Sequence, residues 1–322
     1  MLGFSAHRAG ICTVAAVGEV LTSRTARTFL SFLKVVAWIL LINSLASLFL
    51  PDQIQPYVSQ ALSLSIVAGG FIFGIGAAIN GGCSFSTISK LAQGELHVAL
   101  TLPAFIVGAL SSRLLSLPYG ETSIDFALKS PELPPLPLAF LTLWGLLELG
   151  RLSLSGIRNG LYTTVTRQRY RLSSTAALIG ICAGLLYLLQ GRWAYSSRLL
   201  ESLSNPAAPS FVGSDAFYLL LATVFGALAS AVSNRTFAIK FAADKWHRNI
   251  LGGYLMGFGA ALVPGGNGKL MLQDLPNLAV SAGAAYLALA LGIAFTLIIQ
   301  MRVFGQVEVI SCSGDECKVI NT

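Results

Sequence analysis

Apolar residues in this chain gather into long runs, with little of the alternation that marks strands or the striping that marks surface helices. The runs cover about residues 29–50, 58–79, 96–117, 136–149, 174–189, 216–233, 250–263 and 278–301. Helices hydrophobic all round are stable only where lipid or other protein surrounds them, and a spanning helix needs about 20 apolar residues. The pattern therefore predicts an all-α integral membrane protein, a helical bundle with about eight spanning helices. Two runs, 136–149 and 250–263, are short for a hydrocarbon core of ~30 Å. Their helices are expected to extend into flanking polar residues or to end inside the protein.

Charge between the runs sets an orientation. With the N-terminus inside, Arg8, Arg24 and Arg27 precede the first span on the cytoplasmic side. Glu121, Asp125, Lys129 and Glu132 follow the third span and fall outside. Arg151, Arg158, Arg167, Arg169 and Arg171 follow the fourth and fall inside. So do Arg235, Lys240, Asp244, Lys245 and Arg248 after the sixth. This satisfies the positive-inside rule for a multi-pass protein of the cell inner (plasma) membrane with both termini cytoplasmic. The reverse orientation would export the five arginines.

A repeat divides the pattern. Residues 69–83 match residues 252–266 at a constant offset of 183, with identities at Gly69, Gly70, Gly74, Gly76, Ala77, Ala78 and Gly82. The copies fall in the second and seventh spans, five crossings apart, so they run in opposite directions. That is an inverted repeat, a common plan of membrane transporters. The expected division is a first half over 1–172, a second, inverted half over 173–303, and a short cytoplasmic tail over 304–322. After each glycine-rich helix comes a Gly-Gly pair and a stretch about half as long as a span. Irregular backbone in lipid is tolerated only where it lines a cavity, so these stretches predict short re-entrant half-helices. A half-helix starting near Cys83 turns its free N–H groups and dipole toward an anion. The amides of Gly81, Gly82, Cys83 and Ser84, and those of Gly265, Gly266, Asn267 and Gly268, are the expected counter-charges.

Composition narrows the function classes. Of 322 residues, 54% are hydrophobic and 11% charged, and the mean hydropathy is +0.72, against roughly a quarter charged in soluble domains. That excludes a soluble enzyme, a coiled coil and a disordered chain. The formal net charge of +7 belongs to topology, because no basic run is interleaved with base-stacking aromatics. No nucleic-acid partner is expected; the lipid bilayer is one. The opening residues, Met1 to Thr28, are polar and lack the basic and apolar regions of a cleavable leader. No nucleotide-binding loop, Ser/His/Asp arrangement or paired intramembrane carboxylate is visible. No enzyme, cofactor or metal centre is expected. His7, His97 and His247 are scattered.

Five cysteines, Cys12, Cys83, Cys182, Cys312 and Cys317, are an odd count lying mostly in apolar segments, which argues against a disulfide framework. Cys83 follows the Gly-Gly break and is the leading functional candidate. Cys12 stands four residues after Arg8, so the two are expected to share a helix face. Lys90 stands seven after Cys83, either holding an anion or snorkelling to the interface. Cys182 reads as a packing residue. Cys312 and Cys317 read as free thiols that accept sulfur or do nothing. Arg235 reads as an inside anchor or a relic of the repeat.

Three stretches carry a family likeness: Arg8-Ala9-Gly10-Ile11-Cys12-Thr13-Val14-Ala15-Ala16, the segment from Gly69 through Gly81-Gly82-Cys83 to Gly94-Glu95-Leu96, and Gly252-Gly253-Tyr254-Leu255-Met256-Gly257-Phe258-Gly259-Ala260. In these the chain resembles the YeeE/YedE family of membrane sulfur-transport proteins. The resemblance implies an inverted-repeat fold whose short helices meet at a constricted centre, and import of thiosulfate or a related small sulfur-containing anion. It also implies cysteines along the path, matched here by Cys12 and Cys83. A third family cysteine falls at Gly266 or beside it, where Asn267 offers an amide instead. The implied substrate path is Arg8, Cys12, Gly81, Gly82, Cys83, Ser84, Lys90, Gly265, Gly266 and Asn267. A cytoplasmic sulfur-carrier protein is a further expected partner. Two other readings are a membrane sulfur sensor or sulfurtransferase acting on a cytoplasmic partner, and a less specific small-anion channel.

Overall fold

The computed structural model describes residues 1–10, 12–50, 60–114, 133–159, 170–191, 193–204, 210–242, 244–263, 265–304, 309–313 and 316–320. Ile11, the acidic stretch from Glu121 to Glu132, Arg167, Arg169 and Pro264 lie outside them; Arg158, Cys312 and Cys317 are described in backbone only.

The chain is an all-α membrane protein. Its helices are α1 (Leu2–Ala9), α2 (Thr13–Ser23), α3 (Arg27–Phe49), α4 (Leu64–Asn80), α5 (Ser84–Ala92), a 3₁₀ turn (Leu96–Leu100) running into α6 (Thr101–Leu114), and α7 (Pro135–Asn159). There follow α8 (Leu172–Gln190), α9 (Tyr195–Ser204), α10 (Asp215–Ser233), α11 (Trp246–Leu262), α12 (Gly266–Lys269) with a π turn (Leu270–Asp274), and α13 (Val280–Phe304). A small antiparallel hairpin, Val309–Ser313 with Glu316–Ile320, occupies the tail.

Among the described residues six helical segments are long and apolar enough to cross a membrane: α3, α4 with α5, α7, α8, α10 and α13. The seventh and third expected spans are shorter. The former is the 17-residue α11, and the latter opens as a 3₁₀ turn before the 14-residue α6. The short run at 136–149 gains length from its polar flank, since α7 continues to Asn159. Leu136, Phe140, Leu143, Leu146 and Leu147 of α7 are exposed, as are Leu287, Leu291 and Phe295 of α13. Exposed apolar stripes of this length suit lipid rather than water.

Glycine builds the centre, because helices without intervening side chains can bring their backbones together. A Cβ at Gly76 of α4 would strike the backbone of Met256 and Gly252 on α11. A Cβ at Gly259 of α11 would strike the backbone of Gly69 and Phe73 on α4. Rising numbers on one helix meet falling numbers on the other, so α4 and α11 cross antiparallel. At the offset of 183, Gly69 corresponds to Gly252 and Gly76 to Gly259, so this crossing is the same contact made twice about a pseudo-two-fold axis. A second pair of contacts follows the same relation: Gly70 and Gly74 of α4 seat on Ala285 and Leu289 of α13, and Gly253 and Gly257 of α11 seat on Thr101 and Phe105 of α6.

An ion pair joins three of the spans. Lys34 of α3 donates to Glu148 of α7 at 2.5 Å and to Ser173 of α8 at 3.0 Å. A carboxylate as buried as Glu148 is costly unless paired, and this pair ties three helices together.

Candidate functional site

Breaks in the helices define the site. Gly10, in left-handed conformation (φ 60°), ends α1, and extended Cys12 caps the start of α2. Gly81 (φ 72°) ends α4, and extended Cys83 caps α5. Gly191 (φ 63°) ends α8 before α9, while Gly265 (φ 130°) and Gly266 (φ 68°) separate α11 from α12. Only glycine tolerates such backbone without strain.

The two capping cysteines meet. Their Sγ atoms lie 3.9 Å apart, in side chains 7% and 2% exposed. Cys12 Sγ faces the amides of Val14, Ala15 and Cys83, and Cys83 Sγ those of Phe85 and Ser86. Each sulfur therefore sits in the positive end of a half-helix. A cavity of about 50 Å³ adjoins them, walled by Thr13, Phe32, Phe85, Asn267 and Met271 among others. On the other side of Cys12 opens a polar vestibule of about 360 Å³, lined by Asn80, Lys90, Glu95, His97, Lys245, Arg248, Asn249 and Gln300 among others. A further hollow of about 260 Å³ lies beside Trp193, Arg198 and Glu201. Cys12 borders both the small cavity and the vestibule, and Cys83 the small cavity.

Asn80 holds this geometry. Its Nδ2 donates to Gly82 O and Thr87 Oγ1, both at 3.0 Å, and its Oδ1 accepts from Thr101 Oγ1 and Asn249 Nδ2, both at 2.8 Å. Thr87 in turn bonds the Cys83 carbonyl at 3.0 Å. Asn80→Ala would strand Thr101 and Asn249 in a buried setting, where an unmatched polar group costs roughly 1–3 kcal/mol. Thermal unfolding in detergent is expected to show a loss of about 2–3 kcal/mol; an unchanged melting temperature would contradict the hub role.

The residues expected from sequence divide. Cys12, Cys83, Lys90 and Asn267 line the small cavity or the vestibule: Lys90 Nζ donates to Gly81 O at 2.9 Å on the vestibule wall, and Asn267 Nδ2 donates to Thr13 Oγ1 at 3.0 Å. Ser84 opens α5, where the Tyr195 ring comes up beside it. The amides of Gly81, Gly82 and Gly265 do not face an anion as expected, because they bond back to Ala78, Ala77 and Ala260 as helix caps. Arg8 and Cys12 do not share a helix face, because the helix breaks at Gly10. The Arg8 guanidinium packs over Phe4 at 4.8 Å and Tyr170 at 5.3 Å and donates to Ser233 at 3.0 Å. Gly266 cannot be replaced by a thiol-bearing residue without strain, since its φ is positive and a Cβ would press on the Phe73 ring.

Thr13, Asn80, Tyr195 and Tyr286 were not expected. Tyr195 stands beside Ser84, and Tyr286 beside Thr13. One signal was available: Tyr195 lies 183 residues after Cys12. Cys182 lies half-buried on α8 and lines neither the small cavity nor the vestibule. Among the described residues no three His, Cys, Asp or Glu side chains group to hold a metal.

Antiparallel glycine crossings, helices broken in mid-course and a polar vestibule beside buried thiols are together the build of a membrane transport protein. The model of the sulphur transport family (Sulf_transp) matches residues 8–295, and the chain belongs to that family. It is also 26% identical over 303 residues to the thiosulfate transporter TsuA of Escherichia coli (strain K12), with 84% of each chain covered.

Proposed function

We propose that this protein imports thiosulfate, or a close sulfur-containing anion, through a path that narrows at Cys12 and Cys83. The observation that carries the reading is the meeting of two cysteine side chains, each on a half-helix N-terminus, 3.9 Å apart beside a cavity and a vestibule. A dianion leaving water needs replacement donors. Weak S–H donors suit a soft terminal sulfur, and half-helix dipoles offset the charge without trapping it. A thiolate at either position would repel the anion.

In this reading residues 1–172 and 173–303 are the two inverted halves and 304–322 the tail. Both termini face the cytoplasm of an inner-membrane protein, and the vestibule with Lys90, Lys245 and Arg248 is the exit. A cytoplasmic sulfur carrier would be received at that basic face. The protein carries out no covalent step of its own. Reconstituted into proteoliposomes, it is expected to accumulate radiolabelled thiosulfate, with sulfate and selenate competing weakly. Equal passage of chloride or nitrate would instead indicate an unselective anion channel.

A further inference from the structure

We propose that Tyr195 and Tyr286 are specificity-determining residues of the Cys12–Cys83 site, their hydroxyls binding oxygen atoms of the anion whose sulfur meets the thiols. This rests on the thiosulfate reading above and adds which groups hold the anion's other end. Both hydroxyls are buried and make no hydrogen bond of good geometry, the nearest polar side chains being Ser84 for Tyr195 and Thr13 for Tyr286. Such orphans are rare in folded proteins and ask for an explanation; a ligand that passes through is one. Two from different helices approach the residues that follow the two cysteines. Tyr195 opens α9 beside Ser84, its ring set edge-on against Phe85 of the cavity wall at 6.2 Å. Tyr286 reaches from α13 to Thr13 of the cavity wall.

The chemistry separates the two ends of the substrate. Sulfur lone pairs are soft and accept weakly, whereas sulfonate oxygens accept strongly and lose most on dehydration. Thiols alone would leave those oxygens uncompensated at the narrow point. Phenolic O–H groups donate well yet carry no charge, so they bind an oxyanion without holding it. The repeat gives the arrangement a pattern. At the offset of 183, Gly266 stands where Cys83 does and carries no side chain, while Tyr195 stands where Cys12 does. The second half thus contributes a hydroxyl where the first contributes a thiol.

The test uses the full chain with Tyr195→Phe, Tyr286→Phe and the double substitution, which remove only the oxygens. Radiolabelled thiosulfate uptake in proteoliposomes is expected to show a KM raised about tenfold for each single variant. The melting temperature without substrate should stay at the wild-type value, and stabilisation by thiosulfate should need correspondingly more of it. A KM unchanged in both single variants, with wild-type uptake normal, overturns the inference alone. A KM rise accompanied by a lowered substrate-free melting temperature assigns the tyrosines to packing and overturns it too. Wild-type protein that imports no thiosulfate removes the parent reading, and this one with it. If Tyr195→Phe fails to fold, Tyr286→Phe decides by the same measurements.

Discussion

Cys83→Ala is expected to lower thiosulfate uptake roughly 10- to 100-fold, because a hydrogen bond to a charged partner contributes roughly 1.5–3 kcal/mol. Alanine keeps the extended N-cap conformation and the α5 start, so the loss should appear in transport and not in folding. Cys83 is the stronger of the two positions to test. It is 2% exposed, its sulfur faces the amides of Phe85 and Ser86, and Thr87 pins its carbonyl through Asn80. Cys12→Ala should act in the same direction, since its sulfur is the neighbour 3.9 Å away. Cys182→Ala should leave uptake unchanged, because Cys182 lies on α8 outside the cavity and the vestibule. The measurement is initial uptake of radiolabelled thiosulfate by a sulfur-starved host and by proteoliposomes. Normal uptake by Cys83→Ala would falsify the role given to the thiol pair.

The apolar runs made the membrane class, most helix positions and the glycine repeat legible, because lipid leaves a helix few ways to satisfy its backbone and so writes its demands into continuous sequence. The repeat carried more than the matched segment suggested. At the same offset α3 corresponds to α10, α5 to α12, and α2 to α9, although the side chains there have diverged. What stayed hidden was set by backbone turns. Arg8 and Cys12 have the spacing of one helix face, yet Gly10 in left-handed conformation parts them. Gly81 and Gly82 read as free amides, yet they close the end of α4. Tyr195 and Tyr286 come from segments far from either cysteine in sequence, and only the assembled bundle brings them beside Ser84 and Thr13.

A valine at Gly76 or Gly259 is expected to prevent the protein from assembling a stable fold, at a cost of roughly 3 kcal/mol or more. The reason is what a side chain there would strike. At Gly76 it meets the backbone of Met256 and Gly252; at Gly259 it meets the backbone of Gly69 and Phe73. Backbone cannot swing aside as a side-chain tip can, so relief requires α4 and α11 to part. Parting them also moves Cys83, which α4 delivers to the centre through Gly81–Gly82, and opens the contacts of α6 and α13 on either flank. The two substitutions should be equally severe, because they probe one crossing from its two pseudo-symmetric sides. Gly283→Ala provides the contrast: nothing lies within 4 Å of its would-be Cβ on α13, and alanine favours a helix over glycine by about 1 kcal/mol. Fluorescence-detected size exclusion and thermal unfolding in detergent should therefore show Gly283→Ala at or above wild-type stability and both valine variants aggregated or sharply destabilised. Valine variants that melt with the wild type would mean that the helices do not meet backbone to backbone, and the pseudo-two-fold crossing would have to be given up.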